Sequence, residues 1–162
     1  MAHTIFRIRT DTAGTLFVMP APPANTLEAC INQCKSLGIT TIVSLLGHEE
    51  AVHLGLANEA AVCKANCLTF MHHPIEDFGL PEIAEFRDLV TGLARQLEAG
   101  NTIALHCRAG IGRTGTTASC ILQVLGKSAA AAIEIVSAAR RKDIPDTAEQ
   151  TDFIKRFAEA QQ

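Results

Sequence analysis

Residues 39–46 read ITTIVSLL, a β-branched and nearly continuous apolar run. A strand wetted on one face alternates apolar and polar residues, whereas one without that alternation is covered on both faces. This run therefore predicts a sheet with helices on either side. The flanking sequence supplies the helices. Residues 26–37 place Leu27, Ile31, Cys34 and Leu37 at spacings of four and three, the period of an amphipathic helix. Gly38 ends that helix, because glycine enters the left-handed region without a Cβ clash. Residues 48–66 read as helix broken near Gly55, and 68–72 as a strand. A long helix opens at Pro81, where the missing N–H has no helical partner to lose. Ile83, Phe86, Val90, Leu93 and Leu97 form its apolar stripe, and Gly100 caps its end. Residues 102–106 (TIALH) form a short buried strand, with helices over 111–125, 128–140 and 147–160. Upstream, 4–9 and 15–19 read as two short strands, and Pro20, Pro22, Pro23 and Asn25 as a loop. The expected fold class is α/β, a central, mainly parallel twisted sheet flanked by helices.

At 162 residues the chain has the size of one domain, expected over 1–162, and an apolar content of 48% opposes disorder. The formal net charge is −3, and Trp and Tyr are both absent. Neither a basic surplus nor stacking platforms are offered to nucleic acid, so no such partner is expected. No apolar run approaches the roughly 18 residues of a membrane span. The N-terminal residues lack the apolar core of a signal peptide. No membrane association and a cytoplasmic location are expected, where the six cysteines are read as thiols.

Ligands of parallel α/β sheets sit beyond the carboxyl ends of the strands. The strand TIALH runs directly into Cys107-Arg108-Ala109-Gly110-Ile111-Gly112-Arg113-Thr114-Gly115. Three glycines within eight residues let the loop wind tightly enough to aim successive N–H groups into one concavity, a nest for anions. The following helix N-terminus adds positive potential. Arg113 brings a planar two-pronged donor suited to phosphate oxygens. The same field favours a thiolate at Cys107. A nucleophile and an oxyanion cradle thus share one segment, the combination needed to attack phosphorus while holding its charged oxygens. An arginine six residues after a cysteine is weak alone, but of the six cysteines only Cys107 has one. The alternative is a purely structural glycine turn, which the preceding His106 and the strand-to-helix setting disfavour.

His106-Cys107-x5-Arg113-Thr114 resembles the signature loop of cysteine-dependent protein tyrosine phosphatases, including the dual-specificity branch. The stretches VSLL (43–46), HHPIEDFGLP (72–81) and HCRAGIGRTG (106–115) are most similar to the compact phosphatases of the cyclin-dependent kinase inhibitor-associated type. The resemblance runs from about residue 14 to 157. It implies a phosphotyrosine protein phosphatase-like fold and a phosphoprotein substrate, and it requires no metal or other cofactor. It implies that Cys107 attacks phosphorus to give a phosphocysteine that water hydrolyses. Arg113 would bind phosphate, and Thr114 would hydrogen-bond the sulfur. Arg108, Ala109, Gly110, Ile111 and Gly112 would offer backbone N–H groups, and His106 would orient the loop from behind.

The leaving alcohol needs a proton, hence a general acid. Asp77 matches the family's proline–x–x–aspartate pattern, with Glu76 its rival; a solvated or capping carboxylate is the structural alternative. Residues 144–153 (IPDTAEQTDF) resemble the loop that positions hydrolytic water. There Gln150 matches the second glutamine, while Asp146 stands where the first is usual. Either Asp146 or Thr147 could instead cap the last helix.

Other features have plainer readings. Cys30-x3-Cys34 and Cys63-x3-Cys67 both fall in predicted helices, where a spacing of four suits packing on one face. His72 and His73 are neighbours on a strand, hence on opposite faces and poor co-ligands. Glu49 and Glu50 begin an exposed helical turn and are read as solvated. Cys120 is read as core. Three other functions stay open: a phosphatase for a phosphoinositide or an RNA 5′ phosphate, a silent phosphate-binding module, and a rhodanese-type sulfurtransferase. Ala109 and Ile111 are neutral where lipid phosphatases of this superfamily often carry lysines.

Overall fold

The apolar run at 39–46 becomes a strand, β3 (Thr41–Ser44), buried at every residue. It is seen in a computed structural model that describes residues 2–160; residues 1, 161 and 162 of the expected 1–162 unit lie outside it. The other strands are β1 (Phe6–Ile8), β2 (Leu16–Met19), β4 (Thr69–His72) and β5 (Ile103–His106). Among the described residues these five strands form one sheet in the order β1-β2-β5-β3-β4. All pairings are parallel except the antiparallel edge β1–β2.

Strand residues alternate between the two faces, and each face has its own core. Leu16, Val18, Val43, Ile103 and Leu105 point to one side, against α4 (Ile83–Glu98), α5 (Gly112–Val124), α6 (Ala129–Arg140) and α7 (Ala148–Ala160). Phe17, Met19, Ile42 and Ala104 point to the other, against α1 (Leu27–Ser36) and α3 (Glu59–Ala65). On the first side Phe86 meets Phe153 and Phe157 edge to face, with centroids 5.5 and 6.2 Å apart. Burying each such ring contributes about 1.5–3 kcal/mol.

The expected break near Gly55 separates α2 (His48–His53) from α3. Two expectations are corrected. Pro81 does not open α4: the helix begins at Ile83, because Glu82 caps it by accepting N–H bonds from Ala84 (3.1 Å) and Glu85 (2.8 Å). Cys67 is not helical: α3 ends at Ala65, and Cys67 is exposed with φ +63°. It therefore shares no helix face with the buried Cys63.

The parallel register decides where the site lies. His106 pairs with Met19 on one side and Ser44 on the other, and Ser44 pairs with His72. The segments leaving β2, β5, β3 and β4 consequently emerge side by side along one edge of the sheet.

Candidate active site

The chain leaves β5 at Cys107 and winds through Ile111 before α5 begins. Its outer carbonyls are all engaged. Ala21 N–H donates to the Arg108 carbonyl at 3.0 Å. The Arg140 guanidinium, from the end of α6, donates to the carbonyls of Gly110 (3.0 Å) and Ala109 (3.2 Å). In a planar trans peptide the next N–H points opposite the carbonyl. The N–H groups of Ala109, Gly110 and Ile111 are thus turned away from these partners, toward the inside of the loop. Arg140 is itself fixed by stacking 4.1 Å over the Phe6 ring. Burial lowers its proton affinity, and the nearby Cys107 acts in the opposite sense. Gly110 is obligatory on two counts: its φ is +74°, and a Cβ there would lie 2.6 Å from the Met19 carbonyl.

Arg113 lies in the first turn of α5 with only 2% of its side chain exposed. One terminal nitrogen donates to Glu50 Oε1 (2.7 Å) and the Ile75 carbonyl (2.8 Å). The other donates to Glu50 Oε2 (2.9 Å) and Asp77 Oδ1 (3.1 Å). Burial opposes the arginine's charge, but the Glu50 hydrogen bonds and the nearby Cys107 and Asp77 prevail and raise its proton affinity. Glu50 Oε2 also accepts from Arg108 Nε (3.1 Å), and Oε1 from Gly47 N–H (3.0 Å). The Arg113 hydrogen bond, more than any other cause, holds the Glu50 carboxyl down at about 2. The expectation of a solvated Glu50 is therefore wrong. The turn that begins α2 delivers it from the end of β3 directly onto the arginine.

Asp77 stands on the segment after β4, its side chain 40% exposed at the mouth, while Glu76 makes no side-chain hydrogen bond among the described residues. With Glu49, Glu50, Glu76, Pro74 and Arg108 it lines a cleft of about 630 Å³. Asp146 and Gln150 reach the loop from the start of α7. A Cβ on Gly112 would meet Asp146 Oδ2 at 2.6 Å and Gln150 Nε2 at 3.0 Å. Gln150 is buried, and its Oε1 accepts the N–H groups of Asp146 (3.1 Å) and Thr147 (3.2 Å).

Behind the loop, His106 is fully buried and its Nε2 lies 2.7 Å from Oε2 of Glu59, itself 2% exposed. Nδ1 lies 3.3 Å from the Cys107 carbonyl oxygen. Thr114 departs from expectation. Its hydroxyl is buried and has no hydrogen-bond partner among the described residues, the Cys107 sulfur included. Thr116 and Thr117 bond the carbonyls one turn earlier, Gly112 and Arg113, at 2.8 Å each. The carbonyl one turn before Thr114 belongs to Gly110 and is turned outward to Arg140.

The sequence reading missed Glu50, Glu59 and Arg140. Glu50 had a usable signal: it stands a few residues past the carboxyl end of a buried strand. Glu59 and Arg140 had none, since each meets the loop only through tertiary packing.

A mainly parallel sheet that presents a cysteine, a glycine-rich loop and a buried arginine at one edge is the architecture of protein tyrosine and dual-specificity phosphatases. The kinase associated phosphatase, crystallised with serine in place of its catalytic-site cysteine, superposes with a TM-score of 0.89 at 22% identity, covering 99% of this chain and 96% of that one. PTPMT1 in complex with PI(5)P superposes with a TM-score of 0.76 at 20% identity, covering 96% of each chain. The family model described as polymorphic toxin system, DSP-PTPase phosphatase, matches residues 20–127. The chain belongs to this DSP-PTPase family. Cyclin-dependent kinase inhibitor 3 of Rattus norvegicus is 26% identical over 127 residues, which cover 77% of this chain and 60% of that protein. Protein tyrosine phosphatase domain-containing protein 1 of Mus musculus is 27% identical over 155 residues, covering 89% of this chain and 20% of that protein. The chain thus spans about 60% and 20% of the lengths of these two relatives. No helix of the described residues is long and apolar enough to cross a membrane.

Proposed function

We propose that residues 1–162 act as one domain that hydrolyses phosphate monoesters on proteins, phosphotyrosine first and phosphoserine or phosphothreonine also, through a phosphocysteine on Cys107. The carrying observation is the buried Arg113 at the cysteine loop with Asp77 3.1 Å from it. A phosphate binder, a nucleophile and a proton source thus meet at one strand edge.

In the first step the Cys107 sulfur attacks phosphorus, the P–O bond breaks, and the departing oxygen takes the Asp77 proton. The N–H groups of Arg108, Ala109, Gly110, Ile111 and Gly112, with Arg113, hold the equatorial oxygens in a dry site where such donors act strongly. In the second step water attacks phosphorus, the S–P bond breaks, and Asp77 receives the water proton. Thr114, whose buried hydroxyl has no partner among the described residues, would turn to hydrogen-bond the departing sulfur, and Asp146 and Gln150 border the water's approach. His106 keeps the loop in shape. No step calls for a metal or other cofactor.

The cleft bears Glu49 and Glu76 beside the loop, and Ala109 and Ile111 are neutral. With Arg108 the single arginine or lysine beside these carboxylates, the lining weighs against a multiply phosphorylated headgroup or an RNA end and for a phosphorylated side chain on a protein. The rival substrate is a phosphoinositide, since PTPMT1 shares the fold and was crystallised with PI(5)P.

The test is an assay in reductant and EDTA against an aryl phosphate, phosphopeptides and a phosphoinositide panel. Turnover of the aryl phosphate and phosphopeptides is expected, and Cys107→Ser should abolish it with an unchanged melting curve. A protein active only on phosphoinositides would overturn the substrate assignment. Retained activity in Cys107→Ser would overturn the mechanism. Tight phosphopeptide binding without hydrolysis would make the chain a binding module.

A further inference from the structure

We propose that Glu59 is a positioning residue of this site, holding His106 as an imidazolium behind the Cys107 loop. The inference rests on Cys107 being the nucleophile. It starts from a proton count. Both ring nitrogens of His106 face oxygens: Nε2 faces Glu59 Oε2 at 2.7 Å, and Nδ1 faces the Cys107 carbonyl at 3.3 Å. A neutral imidazole has one N–H, and a carbonyl can only accept. With Glu59 ionised, both contacts are satisfied only when both nitrogens carry protons.

The pair is also buried together. His106 is 0% and Glu59 2% exposed, and the thiols of Cys30, Cys34 and Cys63 lie near the carboxylate. An isolated carboxylate in such a pocket is strongly disfavoured. A buried ion pair gives a fold no more stability than apolar packing of the same volume, so stability alone supplies no reason for this one.

The other charges about Cys107 come from α5 (Arg113) and α6 (Arg140), with Glu50 from α2 and Asp77 after β4 set against Arg113. Both arginines stay charged across the working range. His106 is the cation of the group whose charge depends on a single partner. With Glu59 in place, positive charge sits directly behind the nucleophile's own peptide unit and favours the thiolate. Glu59→Gln keeps the volume and can donate to Nε2. It therefore permits a neutral imidazole and removes the cation.

The test follows alkylation of Cys107 by iodoacetamide from pH 5.5 to 9, read by mass spectrometry on the peptide that contains it. At pH 6 Glu59→Gln should react about tenfold more slowly than the unmodified protein, with the two rates converging at pH 9. The acid limb of kcat/KM on an aryl phosphate should move to higher pH in parallel. Equal alkylation rates at every pH, or a ratio that does not change with pH, would overturn the proposal. A second measurement needs no variant at Glu59. The imidazole ¹⁵N shifts of His106, assigned by their loss in His106→Asn, should show both nitrogens protonated at pH 7, and a single protonated nitrogen would overturn it. Absence of turnover in the unmodified protein would instead defeat the phosphatase reading, while the alkylation series still reports on Glu59.

Discussion

Both carboxylate oxygens of Glu50 meet the two terminal nitrogens of Arg113, at 2.7 and 2.9 Å. The pair fixes the guanidinium plane and leaves its Nε–H without a hydrogen bond among the described residues. Bidentate pairs set orientation as well as energy. Glu50→Gln keeps the shape and removes the charge, so the arginine is free to tilt. A misplacement of about 1 Å at a reacting centre can cost roughly a hundredfold in rate. We expect kcat/KM on an aryl phosphate to fall ten- to hundredfold, with a matching loss of vanadate affinity. Unchanged vanadate inhibition would show that Arg113 does not depend on Glu50.

The same pair makes the fold sensitive to acid. The Glu50 carboxyl ordinarily titrates near 4.5 and here is held down to about 2, first by its hydrogen bond from Arg113. A depressed carboxylate stabilises the fold fully above its ordinary value, and the contribution is lost as pH falls through the folded value. The window is therefore between about 4.5 and 2, and the loss is on the order of 2–3 kcal/mol. Urea midpoints measured from pH 6 down to pH 2 should fall less steeply in Glu50→Gln than in the unmodified protein. Parallel curves would contradict this.

Asp77, the acid proposed above, touches Arg113, and Glu76 does not. General acid catalysis contributes typically 10²–10⁴-fold, most where the leaving group is poor. Asp77→Ala should therefore slow alkyl phosphates far more than p-nitrophenyl phosphate, whose phenolate leaves unaided. The alkaline limb of the kcat profile should vanish with it. Glu76→Gln should change kcat/KM by less than about threefold, the scale of a rim charge. Equal losses on all leaving groups in Asp77→Ala would move the acid elsewhere.

Where each interaction is encoded decided how much of it the sequence could show. The strand at 39–46 and the Cys107–Gly115 loop were legible because their determinants are local: β-branched runs, glycine spacing and the strand-to-helix order. Asp77 stood out by its proline–x–x–aspartate pattern, and the structure sets it 3.1 Å from Arg113. The start of α4 was misplaced by two residues, because Pro81 and Glu82 both suit a helix beginning and only the side-chain bonds of Glu82 decide. A helix-start glutamate is normally solvated, so the sequence alone gives Glu50 no other role. Its true partner lies 63 residues away in sequence and is brought to it by the β3–β5 register. The clamp of Arg140 on the Ala109 and Gly110 carbonyls likewise has no local trace.

Gly110 tests the loop as a backbone device. Any side chain there would have to adopt φ +74° and would press on the Met19 carbonyl at 2.6 Å. Strain of this kind costs of order 1–3 kcal/mol before the clash is counted. Gly110→Ala should lower the unfolding free energy by about 2–4 kcal/mol and leave residual turnover below about 1%. Gly38→Ala is the internal control: its φ is +82° but nothing lies within 4 Å of the built Cβ. It should cost only the backbone term, about 1 kcal/mol, and keep full activity. Similar losses of activity in both variants would show that the close approach at Met19 is immaterial.

The last pair to separate is Asp146 and Gln150. Gln150 has its side-chain oxygen committed to two backbone N–H groups, those of Asp146 and Thr147, and its own N–H bonds Thr147 Oγ1 at 3.1 Å. That makes it a cap for the start of α7, with Nε2 at 3.0 Å and the already committed Oε1 at 3.1 Å from a Cβ built on Gly112. Asp146 instead presents Oδ2 at the edge of the loop from an exposed position. The water that attacks phosphocysteine gives one proton to Asp77, and a carboxylate oxygen such as Asp146 Oδ2 can hold it in line by accepting its other O–H. Gln150→Ala should therefore cost about 1 kcal/mol of stability, the scale of a lost cap, with modest kinetic change. Asp146→Ala should leave the first step intact and slow the second. In rapid-quench experiments with p-nitrophenyl phosphate it should release close to one equivalent of phenol per enzyme in a burst, followed by slow turnover. A burst in Gln150→Ala and none in Asp146→Ala would reverse the two roles.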